Sequence, residues 1–211
     1  MTDTAKAAVE DVRRRISALD PDSLDLILRE ARTHNEWQDR DVPDDLLRQV
    51  YDLYKWGATS MNCSPARVVF IRSPDARAKL EPLLMEGNRK KTMAAPVCAL
   101  IGTDTRFFEK LPVLFPHSKG AADMFRKNTS LAEVTAFRNG TLQGAYLMIA
   151  ARAVGLDCGP MSGFDNEAVD KAFFAGTDII SNFLCNLGYG EPEVLFDRSP
   201  RPAFDEVCSI I

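Results

Sequence analysis

The stretch from Ser130 to Val154 constrains the fold of this chain most. It keeps a helical pattern for about 25 positions, roughly 37 Å of helix at 1.5 Å per residue. Over its second half, Leu142, Ala145, Tyr146, Leu147, Met148, Ile149 and Ala150 leave no polar face. A helix that is apolar all round must be covered on every side, in a core or at a subunit interface. Ser130-Leu131-Ala132-Glu133 reads as a capping box, the serine hydroxyl taking the N3 amide while Glu133 reaches back. Gly155 is the C′ residue. Asn139-Gly140, ordinarily a turn signal, is overridden at a cost of about 1 kcal/mol for the glycine.

The other elements are shorter. Residues 4–18 read as an exposed charged helix, with Arg13-Arg14-Arg15 a solvated face. Asp20 caps a second helix whose first turn holds Pro21, and this ends in the polar cluster Arg32-Thr33-His34-Asn35-Glu36-Trp37. Val42-Pro43-Asp44-Asp45 opens a third helix that closes on Gly57. Strands are expected at Ala66–Ile71, Val97–Ile101 and Phe183–Tyr189, and further helices from Ser73-Pro74 to about Met85 and after the cap Asp165. Cys158-Gly159-Pro160-Met161-Ser162-Gly163-Phe164 reads as a glycine-rich loop. Residues 103–128 carry aromatics without a clear period and are either a lid over a site or short, locally packed helices. Helices separate the strands, so the chain is α/β or α+β with one central sheet. The tail 203–211 is too apolar to float free and is expected to pair or pack, including on a partner subunit.

Composition excludes several classes. The 211 residues suit a single domain, and a net charge of −4 leaves no electrostatic footprint for nucleic acid or an anionic membrane. The N-terminal Met1-Thr2-Asp3-Thr4-Ala5-Lys6 has no signal-peptide core and no run is long enough to span a bilayer, so a soluble cytoplasmic protein is expected. The five cysteines are scattered without a C-x-x-C pair, as reduced, mostly buried thiols are. The two histidines, His34 and His117, have no ligand-like partners, so no metal is expected. Dinucleotide, P-loop and hydrolase fingerprints are absent.

Gly57-Ala58-Thr59-Ser60-Met61-Asn62-Cys63-Ser64-Pro65 is crowded with small hydroxyl and amide groups. It is either a helix cap with an Asx-type turn or a loop holding a flat, polar-rimmed ligand. The cluster 32–37 is either a loop anchored by Trp37 or an anion site where Arg32 and Thr33 meet a phosphate. Asn88 and Lys91 are three apart and point the same way from one helical turn. Cys63 has no basic partner that would make it a nucleophile.

The strings Ala31-Arg32-Thr33-His34-Asn35, Lys55-Trp56-Gly57-Ala58-Thr59-Ser60, Asn62-Cys63-Ser64-Pro65-Ala66-Arg67, Leu114-Phe115-Pro116-His117, Ala136-Phe137-Arg138-Asn139, Gly159-Pro160-Met161-Ser162-Gly163-Phe164-Asp165 and Gly188-Tyr189-Gly190 together resemble the nitroreductase-type flavoprotein family over residues 24–211. Within it they are most similar to the malonic semialdehyde reductases of bacterial pyrimidine degradation. The resemblance implies an α+β fold, a mostly antiparallel sheet flanked by helices, in an intertwined homodimer whose C-terminal tails are exchanged. It implies FMN, reduced by NADPH or NADH. Carried over by position, Arg32, Thr33 and Asn35 match the first flavin motif, and Thr59, Ser60 and Asn62 the loop lent by the neighbouring subunit. Asn88 and Lys91 match the pair at the isoalloxazine edge, Ser162 and Gly163 the loop near N5, and Arg198 and Arg201 the basic residues near the phosphate. Reduced flavin carries negative charge near N1 and O2, which a cation such as Lys91 stabilises. Ser64-Pro65-Ala66 stands where Gln-Pro-Trp is frequent and Ser162 where an acidic residue is common, so a generic nitroaromatic specificity is not implied. For a small aldehyde acid, Arg67, Arg138, Lys119 and Arg126 are candidate carboxylate partners. His117 is the candidate proton donor, or else a lid residue without a chemical role. Reduction of nitro compounds, quinones or enals, and flavin sequestration without turnover, are the alternative functions.

Overall fold

A computed structural model describes residues 3–211; Met1 and Thr2, which head the N-terminal string read above, lie outside the described residues. Four strands form one sheet: β1 (Ala66–Ile71), β2 (Val97–Asp104), β3 (Asp157–Met161) and β4 (Ile179–Gly188), in the order β1-β2-β4-β3. Every pairing is antiparallel, so the fold is α+β as the resemblance implies. Central β2 is apolar in both registers because it is covered on both faces. Val97, Ala99 and Ile101 enter one core cluster, and Cys98 and Leu100 enter the other.

The first face is covered by α3 (Asp44–Tyr54) and the long α8 (Thr129–Ala153), through Leu47, Val50, Leu147 and Ala151. The second is covered by α4 (Pro74–Leu80) and α9 (Asn166–Phe173), through Leu80 and Val169 with Phe164 and Phe174. α5 (Glu86–Ala94) sits beside this layer and leads into β2. Short helices α6 (Leu111–Leu114) and α7 (Ala121–Lys127) occupy the aromatic segment, where Phe107, Phe108 and Phe125 build a third cluster with Cys63. α1 (Asp3–Arg15), α2 (Pro21–Leu24, continued by a wide turn over Asp25–Arg29) and α10 (Phe204–Val207) complete the chain. No helix among the described residues is long and apolar enough to cross a membrane.

Four expectations are corrected. The cap of α8 is Asn128, whose Oδ1 accepts from Leu131 N at 3.0 Å, rather than Ser130; an Asn side chain competes equally well for that amide. The Ser73 helix stops at Leu80, where Pro82 turns it into a 3₁₀ turn, instead of reaching Met85. Cys158–Met161 belongs to a strand, not a loop: β3 lies at the sheet edge, where Pro160 needs no amide for a ladder. The second half of α8 buries Gln143, Gly144 and Leu147 but leaves Leu142 exposed. The rest of its uncovered apolar face, Leu131, Val134 and Phe137, lies in the first half.

Candidate functional site

The segment after α2 is laid along the outer edge of β3. His34 N donates to Cys158 O at 3.0 Å, Thr33 bridges Cys158 in parallel, and Trp37 pairs with Gly190. This approach requires missing side chains. A Cβ at Gly159 would stand 2.6 Å from His34 O and 3.1 Å from the Trp37 ring, and one at Gly190 would overlap the His34 imidazole. Gly159 and Gly190 therefore admit the chain's own loop. Beneath it, His34 is buried with Nε2 3.4 Å from Asp157 Oδ1, while Asp157 Oδ2 accepts from Gly190 N at 2.9 Å.

So anchored, the loop presents Arg32, Thr33 and Asn35 to a cleft of about 690 Å³ that Arg198 and Arg201 also line. The Arg32 guanidinium donates to the Phe196 carbonyl, tying together residues 164 positions apart. Arg198 pairs with Glu30 at 3.3 Å at the surface, and Arg201 donates to the Ser199 carbonyl at 2.9 Å. Two more arginines line the cleft that sequence reasoning missed, Arg29 and Arg152. Arg152 had a signal: it is the one charged residue after Arg138 in α8 and lies in its last turn, and its Nη1 donates to Ile27 O at 3.1 Å. Five arginines line one cleft together with Asp197; Arg29 is paired with Asp25 at 2.6 Å, and the set suits a phosphate-bearing anion.

A second group forms around α5. Asn88 Nδ2 donates to Gly163 O at 2.8 Å and Met85 N to the same carbonyl at 3.0 Å, so Asn88 and the Ser162-Gly163 turn are brought together. Lys91 is half-buried one turn further on, and its ammonium makes no ion pair among the described residues. The Lys91 carbonyl accepts from Trp37 Nε1 at 3.0 Å, which joins this group to the arginine-lined loop.

Thr59, Ser60 and Asn62 lie elsewhere. Ser60 N donates to Asn139 Oδ1 at 2.8 Å, Asn62 Nδ2 to Leu114 O at 2.8 Å and Ser64 N to Thr59 Oγ1 at 3.2 Å; none of the three lines the arginine cleft. The loop holds three non-glycine residues at positive φ: Met61 at 52°, Asn62 at 50° and Ser64 at 39°. Such strain persists only where the surroundings over-determine it. Cys63 is buried there and burial pushes its thiol up to about 11, which leaves it un-nucleophilic at neutral pH. Arg67 is committed to Asp104 at 2.6 Å and to the Ser64 and Ala66 carbonyls. Arg138 and His117 are exposed, the latter edge-on to Phe115, and neither lines the cleft within one chain.

Comparison with known proteins agrees with this fold. The model of the family described as "Nitroreductase family" matches residues 28–189. A Cupriavidus pinatubonensis protein provisionally named an NADH dehydrogenase/NAD(P)H nitroreductase is 58% identical over 189 residues, covering 89% of this chain and 96% of its own. HadB of Ralstonia pickettii, with the same provisional name, is 58% identical over 190 residues, covering 89% and 97%. A provisionally named nitroreductase of Exiguobacterium sibiricum, solved in complex with FMN, superposes with a TM-score of 0.79 over 92% of this chain and 98% of that one. At 18% identity this last likeness is one of fold.

Proposed function

This chain belongs to the nitroreductase family, and on that premise we propose that it binds FMN as a homodimer and reduces a small aldehyde acid, malonic semialdehyde, to 3-hydroxypropanoate at the expense of NADPH or NADH. The observation that carries the reading is the convergence of Arg32, Thr33 and Asn35 with Arg198 and Arg201 on one cleft, from opposite ends of the sequence. That donor set fits the phosphate of FMN, since guanidinium forks and a hydroxyl match its oxygens. Bound FMN supplies a two-electron carrier that takes hydride from the nicotinamide and gives it to a carbonyl carbon.

The chain's own groups do the rest. Lys91, with no carboxylate to satisfy it among the described residues, offsets the negative charge that gathers at the pyrimidine side of the ring on reduction. Asn88 holds the Ser162-Gly163 turn, whose backbone would serve N5 when the flavin is bound. Thr59, Ser60 and Asn62 of a second copy complete the pocket, which accounts for their distance from the arginine cleft within one chain. The acceptor's carboxylate is met by Arg138, which is exposed and makes no ion pair among the described residues, rather than by Arg67. His117, exposed in the segment 103–128 read as a lid, is the candidate proton donor to the new alkoxide, or else a lid residue without a chemical role. Four buried free thiols suit a reducing cytoplasm.

A second reading, reduction of nitro compounds, is supported by the names of the relatives at 58% identity. The test is anaerobic. Purified protein should be yellow, bleach with NADPH or NADH, and regain colour on addition of malonic semialdehyde but not of a nitroarene. Recovery with the nitroarene alone selects the second reading. Bound flavin that neither nicotinamide bleaches selects sequestration.

A further inference from the structure

The Lys91 carbonyl is one of the last four of α5, which have no partner within the helix. Two side chains from distant parts of the chain converge on it: Trp37 Nε1 at 3.0 Å and Asn186 Nδ2 at 3.4 Å. Neither is an economical cap. Asn186 is fully buried in β4, its Nδ2 also reaches Thr92 Oγ1 at 3.3 Å, and its Oδ1 has no hydrogen-bond partner among the described residues. A buried amide with an unsatisfied oxygen is retained at a cost that an apolar side chain would avoid. Trp37, for its part, cannot move alone. Its ring lies against Gly159 and Gly188, where added Cβ atoms would stand 3.1 and 3.0 Å away, and its backbone pairs with Gly190. Four residues before it, in the same loop, is Thr33 at the arginine cleft.

We propose that Trp37 and Asn186 are positioning residues: by gripping the Lys91 carbonyl they set the last turn of α5, and with it the Lys91 ammonium, in register with the arginine-lined loop. The anion end and the ring end of the cofactor site are then one mechanical unit, and the grip tunes how strongly Lys91 favours the reduced ring. This rests on the reading of Lys91 as a flavin-facing cation.

The test measures FMN affinity by fluorescence quenching and the ratio of reduced to oxidised FMN affinity from the midpoint potential. It is run on wild type, Trp37→Phe, Lys91→Met and the double variant. Trp37→Phe keeps the aromatic bulk and removes the N–H. It should weaken FMN binding about tenfold and lower the affinity ratio about tenfold, a fall of about 30 mV for a two-electron couple. In the Lys91→Met background the same change should move the ratio less than about twofold. An equal shift in both backgrounds, or no shift in Trp37→Phe while Lys91→Met still lowers the ratio, overturns the proposal and leaves the flavin reading standing. A Lys91→Met protein with an unchanged ratio overturns it through its premise, and a wild type that binds no FMN removes the flavin reading as well. If Trp37→Phe does not fold, Asn186→Ser is compared in the same two backgrounds, and the same shifts decide.

Discussion

Arg67 donates to the Asp104 carboxylate at 2.6 Å and to two carbonyls of its own strand entrance, whereas Arg138 stands exposed on α8. Removing Arg67 strands a partly buried carboxylate, so Arg67→Ala should cost about 2–3 kcal/mol in urea unfolding. Arg138→Ala should change stability by less than about 0.5 kcal/mol and raise the KM for an acidic aldehyde without touching that for a neutral one. Equal KM effects on both acceptors remove Arg138 as the carboxylate partner. Buried acids give a pH dependence of definite sign. Burial pushes Cys98 up to about 12, Cys63 to about 11 and the Tyr54 phenol to about 12. The folded state thus keeps protons that the unfolded chain releases from its ordinary thiols and phenol. The stabilisation is complete below about pH 8 and is lost as pH rises through about 9 to 12. The urea midpoint should fall over that window, and less steeply in Cys98→Ala, whatever that variant's absolute stability. A slope identical to wild type contradicts the assignment.

Within α8, Gly140 and Gly144 face the sheet at van der Waals distance. A Cβ at Gly140 would stand 2.5 Å from Thr103 Oγ1, and one at Gly144 2.5 Å from the Phe183 ring. Helix propensity favours alanine by about 1 kcal/mol, but overpacking against a ring held by β4 costs about 1–3 kcal/mol or more. Gly144→Ala should therefore destabilise by about 2 kcal/mol. Gly87→Ala, in α5 with nothing within 4 Å of the added methyl, should stabilise by about 0.5 kcal/mol. If chemical denaturation ranks them the other way, helix propensity rather than close packing governs these positions. The contrast also marks what the sequence could disclose. The length of α8, its C′ glycine at φ 84°, the caps Asp20 and Asp165 and the strand at 66–71 follow from local chemistry and were legible. β3 was not, because Gly159 and Pro160 argue against a strand until one knows that it is an edge and that a loop must lie on it. In the cleft, Arg32 and Thr33 were legible as an anion-binding pair and Asn35, Arg198 and Arg201 were named from resemblance, and the structure brings them together. Arg29 and Arg152 are brought there only by tertiary packing, and the commitment of Arg67 to Asp104 is a cross-strand fact that no local pattern carries.

One chain alone leaves too much apolar surface uncovered. Leu131, Val134 and Phe137 are exposed on α8, and the tail carries Phe204, Val207 and Ile210, the last 91% exposed. The sheet ends at β1, whose outer edge borders a groove of about 850 Å³ lined by Leu47, Tyr51, Tyr54, Val68 and Phe70. An open strand edge beside a groove that mixes these apolar side chains with Arg48, Arg67, Arg72 and Lys110 invites pairing, and Cys208 already has extended dihedrals, φ −129° and ψ 151°. In the homodimer proposed above, the tail of a second copy laid along β1 while the α8 faces meet would satisfy both requirements at once. Removal of residues 203–211 should convert a dimer to a monomer in sedimentation velocity. It should also reduce FMN retention on gel filtration, because the Thr59–Asn62 loop then no longer reaches the partner's cleft. Paired Ile210→Asp and Ile211→Asp substitutions should weaken the dimer without shortening the chain. Should the shortened protein still sediment as a dimer, the α8 face alone holds the pair and the groove along β1 needs another explanation. A wild-type monomer that retains FMN would instead sever the strained loop from the site, since within one chain that loop and the arginine cleft share no lining residue.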